Sequence, residues 1–217
     1  MLGTVACAPM DASPHPLTAL LHDAAEGRFP AADGAVRVLP PFEDVHAVVA
    51  FSAHTILLTD HSPAEVAERG IDAYGSSLHP SQQLWLAGSL PIGSIDVVLA
   101  ARAGGIHGLT ALDSTHPRAE RARHHRRDVQ VLGDERGLVT IGRGLADRWE
   151  ISVELFDGVA HGRGAGRALI AAGLAAAPTD EWVWAQVAPG NAASLRTFLA
   201  TGFRPICSEV LFTHHAD

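Results

Sequence analysis

The chain has 217 residues, a formal net charge of −8, and 16 basic residues that are all arginine. At this size it can bury a full core as one large domain or two small ones, and 47% hydrophobic against 18% charged residues marks an ordinary globular protein. The acidic balance disfavours a general grip on nucleic acid, no apolar run approaches the roughly 20 residues of a membrane-spanning helix, and the missing lysine excludes a P-loop.

The first ten residues, MLGTVACAPM, carry no basic stretch ahead of an apolar one, so a cytoplasmic protein is expected. Cys7 and Cys207 stand far apart and in no metal-ligand spacing, which argues against a disulfide framework and a zinc ribbon. Residues 1–30, rich in Pro, His and Ala, read as loosely structured. AVRVLP (35–40), VHAVVAFSAHTILLTD (45–60) and IDVVLAAR (95–102) read as strands. Between them, SPAEVAERGIDAY reads as a helix beginning at Ser62, and PSQQLWLAG (80–88) as a short second helix. HPRAERARHHRRD (116–128) holds five arginines and three histidines with no aromatic residue to stack a base. It is expected to be a mobile surface loop that touches a phosphate or an acidic substrate group.

The last third is the most legible. DVQVLGDERGLVTIGRGLA (128–146) predicts a hairpin turning at GDERG. WEISVELF (149–156) alternates, with Ile151, Val153 and Leu155 on one face and Glu150, Ser152 and Glu154 on the other. Residues 168–177 are small or aliphatic and end at Pro178, which predicts a helix flat against a sheet. EWVWAQVA (181–188) is the next strand, completing a right-handed βαβ unit. In PGNAASLRTFLATGF (189–203), Asn191 is the N-cap of a second helix, Ala192, Leu195, Phe198 and Leu199 form its apolar face, and Gly202 suits a left-handed terminus. RPICSEVLF (204–212) is the final strand.

The turn VAHGRGAGRAL (159–169) sets Gly162, Gly164 and Gly166 at alternate positions with Arg163 and Arg167 between and after them. Backbone N–H groups at a helix N-terminus converge on one point, and glycine lets an anion approach them closely. The dinucleotide fingerprint fits poorly: the glycines step by two, and Gln186 and Val187 stand where an acidic residue is needed.

HGRGAGRAL resembles the Q/R-x-x-G-x-G/A signature of the GNAT superfamily of acyl-CoA-dependent N-acetyltransferases, and APGNAASLRTFLATGF resembles that family's next motif. The resemblance covers roughly residues 128–212. It implies an α/β (α+β) fold with a mixed, mostly antiparallel sheet flanked by helices. Residues 96–217 would form the acetyltransferase core, and residues 1–95 an N-terminal α/β extension whose role the sequence leaves open: a separate domain, completion of the sheet, or a homodimer contact. It further implies that the turn formed by His161, Gly162, Arg163, Gly164, Ala165, Gly166 and Arg167 cradles the pyrophosphate of coenzyme A. The backbone of Glu154, Leu155 and Phe156 would pair with the pantetheine arm, in the gap where this strand parts from residues 182–188. Asn191 would reach the cofactor or hold the loop beside it. The implied cosubstrate is acetyl-CoA, with no metal, and the implied acceptor is a small-molecule amine or a protein amino group.

Two residues depart from the family pattern. His161 stands where Gln or Arg is usual, and Phe198 takes the place of a tyrosine that often serves as general acid; the chain's single tyrosine is Tyr74. Attack of an amine on the thioester needs a proton acceptor, and alternation puts Glu150 and Glu154 on the polar face, Glu150 ranking first. His54, in an otherwise apolar strand, is a further candidate, although a hydrogen-bonded core histidine explains it more simply. The departures also keep a second class open, a catalytically silent module that binds acyl-CoA.

Overall fold

The computed structural model describes residues 13–159 and 164–214. Ten strands, β1 (Val36–Leu39), β2 (His46–Phe51), β3 (His54–Leu58), β4 (Asp96–Arg102), β5 (Thr110–Ala111), β6 (Arg127–Asp134), β7 (Gly137–Arg143), β8 (Trp149–Leu155), β9 (Trp182–Val187) and β10 (Arg204–Phe212), form one mixed sheet. Among the described residues six α-helices accompany it: α1 (Pro16–Ala25), α2 (Pro63–Glu68), α3 (Pro80–Ala87), α4 (Pro117–His125), α5 (Ala165–Ala176) and α6 (Ala192–Leu199).

Local sequence accounts for the hairpins. In the β6–β7 turn Arg136 donates both its backbone N–H, at 2.9 Å, and its guanidinium to the Asp134 carboxylate, closing a two-residue connection where GDERG predicts one. Neighbouring strands run antiparallel except at β1–β3 and β8–β9.

The strand order is β1-β3-β2-β10-β4-β9-β8-β7-β6-β5. The last strand therefore lies between β2 and β4, and residues before 96 join the sheet through the β2–β10 pairing. Alternation along each strand then divides the core. Leu99, Ile151, Val183 and Ala185 face α5 and α6, packing with Leu169, Ile170, Leu174 and Phe198. Val48, Leu57 and Val210 meet Val66 of α2 and Leu86 of α3. Val98, Ala100 and Trp184 point to the opposite face, against Leu17 and Leu21 of α1.

Two segments read as loose or mobile are helical, and the helix read over SPAEVAERGIDAY ends early, at Glu68. Within residues 1–30, α1 is an anchored helix whose Leu17 and Leu21 are fully buried. Each such side chain contributes about 1.5–3 kcal/mol of burial and helps to anchor the helix on the sheet. Likewise 117–125 is helical: α4 packs on β6, β7 and β8, with Ala119 and Ala122 buried. Both helices start at a His-Pro pair. Nδ1 of His15 accepts from Leu17 N–H and Nδ1 of His116 from Arg118 N–H, while proline supplies a preset φ at the first helical position. His79-Pro80 opens α3 in the same place. This repeated dipeptide is the signal that marks all three starts.

Candidate active site

β8 and β9 are bonded only at Trp149–Val183 and Glu150–Trp184, and then part. On its other side β8 stays paired with β7 as far as Leu155, while β9 stays paired with β4 as far as Val187. The parallel pair thus opens into a fork, and from Ile151 onward the β8 edge facing β9 has no strand partner among the described residues. The fork leads into a cavity of about 940 Å³ lined by β8 from Glu150 to Glu154, Gln186 to Ala188, Asn191, Ser194 and Phe198, and roofed by α4.

At the fork's outer end stands α5. Gly164 precedes it with φ of +90° in the left-handed region, and among the described residues no side chain caps the helix. Ala165, Gly166 and Arg167 form the first turn. A Cβ on Gly166 would stand 3.4 Å from Thr197 Cγ2 of α6, in ordinary contact. His161, Gly162 and Arg163 lie outside the described residues. Leu155 is opposite Gly137 of β7, and Phe156 N–H donates to Arg136 O at 3.1 Å. Asn191 is the N-cap of α6, its Oδ1 accepting from Ser194 N–H at 3.1 Å, and it also lines the cavity. Phe198 is buried edge-to-face on Phe203, 4.9 Å between ring centroids, whereas Leu199, expected beside it, is 45% exposed.

The carboxylates differ sharply in environment. Glu150 is 4% exposed and accepts from Arg148 Nε at 2.8 Å, Arg126 Nε at 2.8 Å and Gln186 Nε2 at 2.7 Å. Burial alone would raise its pKa, but the charges of Arg148 and Arg126 outweigh it and hold the carboxyl below the ordinary glutamate range. A carboxylate so held is a weak proton acceptor, and the base role expected of Glu150 does not fit this environment. Gly144 leaves the room the group needs: a Cβ there would overlap the Glu150 carboxyl. Arg148 continues the network by a two-pronged bond to Glu209 on β10, at 2.7 and 2.9 Å.

Glu154 sits further out, half-buried, and accepts from Nε and Nη2 of Arg118 at 3.0 and 2.9 Å. The sequence reading missed the anchors of this network, Arg126, Arg148 and Glu209. Arg148 and Glu209 lie 61 residues apart, and no local spacing announces their pairing. Asp96, at the start of β4, also lines the cavity and was missed.

Two other candidates lie elsewhere. His54 bonds Asp33 through Nδ1 at 3.0 Å and is absent from the cavity wall. Tyr74 is 74% exposed and packs beside Gly34. Among the described residues no group of three or more His, Cys, Asp or Glu is placed to hold a metal ion, and no helix is long and apolar enough to cross a membrane.

No protein-family model and no curated protein matches this chain. Among solved structures, one from Novosphingobium aromaticivorans, assigned to the GNAT family as an acetyltransferase, is 20% identical with a TM-score of 0.40 over 58% of this chain and 66% of that one. A GCN5-related N-acetyltransferase from Kribbella flavida is 13% identical with a TM-score of 0.37, over 56% of this chain and 58% of that one. The chain spans less than two thirds of either protein.

Proposed function

We propose that the protein is an acyltransferase of the GNAT type that moves an acetyl group from acetyl-CoA to an amine. The observation that carries this reading is the fork: a parallel pair that separates after Glu150–Trp184, a β8 edge without a strand partner among the described residues, and a helix opening on Gly164 at its end. These features suit acetyl-CoA. An extended chain bearing amides adds to a free strand edge through main-chain bonds, and a pyrophosphate fits open N–H groups at a helix start. When bound, the cosubstrate would supply an activated acyl thioester.

The residues of this chain then have distinct tasks. The β8 edge from Ile151 to Leu155 would hold the pantetheine arm and offer N–H groups to the thioester carbonyl oxygen. Gly164, Ala165, Gly166 and Arg167 would bind the pyrophosphate. Asn191 holds the turn into α6 beside the arm, and Phe198 walls the cavity where water must be limited. A thiol is acidic enough, with a pKa of about 8.5, to depart without a tyrosine acid. The acceptor would enter beneath α4, and the cytoplasmic location belongs to the same proposal.

Calorimetry with acetyl-CoA tests the reading, using the wild type and Gly164→Glu, which brings a carboxylate into the anion site. Binding that the variant loses supports it, and a wild type that binds no acetyl-CoA sinks it. A second reading, a silent acyl-CoA-binding module, is favoured by one observation: Phe198 occupies the position where a tyrosine would donate. Binding without thiol release across a broad amine panel would select that reading.

A further inference from the structure

Resting on that reading, we propose that Asp96 is the residue that receives the ammonium of the acceptor and takes its proton. The inference begins from the carboxylates on the cavity floor and wall. Three are held by arginine: Glu150 by Arg148 and Arg126, Glu209 by Arg148, and Glu154 by Arg118. Asp96 is held differently. Its Oδ1 accepts from Ser94 Oγ at 3.1 Å, and among the described residues no arginine forms an ion pair with it within 4 Å.

Its placement suits the task. Asp96 is the register partner of Glu209 on β10, and its neighbour Val97 is the partner of Val187 on β9. It therefore stands beside the β9 arm of the fork, at the level where β9 ends. By alternation from Val98 its side chain shares the face of Trp184 and Glu209, beneath α4, and not the face covered by α5. An acceptor entering under α4 meets this carboxylate on the way to the free β8 edge.

The charges around it act in opposite directions. Partial burial raises its pKa most, the bond from Ser94 lowers it, the Glu209 carboxylate raises it, and Arg121 of α4 lowers it; the balance lies above the ordinary aspartate value. An amine is far more basic than an aspartate, so proton transfer to Asp96 runs uphill, and a raised pKa narrows the gap. The buried Glu209–Arg148 pair keeps a negative charge next to Asp96 while remaining unavailable itself.

The protons and bonds balance. One ammonium proton passes to the Asp96 carboxylate, and the neutral nitrogen forms a bond to the acyl carbon while the carbon–sulfur bond breaks. The second proton lost from nitrogen ends on the departing thiolate. Asp96 then returns its proton to water, so amide, thiol and one proton leave for each thioester consumed.

Thiol release is followed for the wild type, Asp96→Asn and Asp96→Glu with spermidine, tyramine and a lysine-containing tetrapeptide as probes, between about pH 6 and pH 9. Acetyl-CoA binding and Tm are measured alongside. Asp96→Asn is expected to lower kcat on the best probe about a hundredfold and to make the remaining rate climb with pH as free amine becomes available, with acetyl-CoA affinity unchanged and partial recovery in Asp96→Glu. The Tm comparison needs no acceptor. A carboxyl whose folded pKa is raised opposes folding once ionised, so Asp96→Asn should raise Tm at neutral pH, whereas a structural aspartate would lower it. Turnover within about threefold of wild type, or a lowered Tm, overturns the role of Asp96 and leaves the transferase reading standing. Binding of acetyl-CoA with no thiol release from any wild-type reaction overturns the transferase reading, and this role with it.

Discussion

Gln186 Nε2 donates to Glu150 Oε1 at 2.7 Å, tying β8 to β9 just beyond the last rung the two strands share. The bond sits at the apex of the fork. Arg148 approaches the same oxygen from within β8's own approach, and Arg126 reaches the other oxygen from the end of α4. Glu150 therefore holds the crotch where the strands begin to separate, and its negative charge faces two guanidinium groups, the buried Arg148, which Glu209 also holds, and the partly buried Arg126.

Replacing that charge should be costly. Glu150→Gln leaves Arg148 and Arg126 short of a buried counter-charge, and breaking a buried pair costs about 3–5 kcal/mol. Urea unfolding at neutral pH is expected to show a loss near that figure. The pH dependence follows from the depressed pKa of Glu150. Its contribution is fully present above the unfolded glutamate value of about 4.3 and is lost as pH falls through the lower folded value. The wild type should thus lose Tm on acidification in that window, and Glu150→Gln should lose less of it.

Glu154 provides the contrast. It and Arg118 are each more than a third exposed, where an ion pair is worth less than about 1 kcal/mol. Glu154→Gln should leave urea unfolding almost unchanged. If the residue only shapes the acceptor entrance, steady-state kinetics will show a raised acceptor KM with kcat within about threefold. A hundredfold fall in kcat would make Glu154, and not Asp96, the proton acceptor.

The seat of α5 can be probed at Gly173. A Cβ there would lie 2.5 Å from Ile151 Cδ1 and 2.8 Å from Val139 Cγ1, and valine has little freedom at χ1 to yield. Alanine gains up to about 1 kcal/mol of helix propensity over glycine, while overpacking costs about 1–3 kcal/mol. Gly173→Ala is expected to lower stability in urea by about 1 kcal/mol. The helix must also lift from β8, so calorimetry should show a severalfold weaker acetyl-CoA complex. A more stable variant with unchanged binding would mean that α5 does not need its close seat.

The N-terminal helix gives a test far from the cleft. Leu21 is fully buried between α1 and the sheet, and Leu21→Ala should cost about 2–5 kcal/mol in urea. Thr18 Oγ1 donates to Ala146 O at 2.9 Å in the link between β7 and β8, where Ala146 and Asp147 both have positive φ. Loosening α1 should therefore also lower the protection of that link in hydrogen exchange. Unchanged exchange at 145–148 would show that the link holds its shape without α1.

What the sequence determined by itself is local. Strand alternation in WEISVELF put Ser152 and the two glutamates on one face, Asn191 and Gly202 marked the ends of α6, and GDERG marked its hairpin, because each depends on residues within a few positions of one another. The His-Pro starts of α1 and α4 were equally local signals; polar residues mask the apolar pattern of α4, whereas Leu17, Leu21 and Ala24 of α1 stand at helical spacing and were legible as well. Tertiary structure alone decided the rest. Placing β10 between β2 and β4 brings Glu209 beside Asp96 and within reach of Arg148, across separations that no sequence spacing encodes. That placement separates carboxylates that look alike in the sequence: the proton affinity of a carboxyl depends on burial and on the charges around it, and chain pairing over long range sets both.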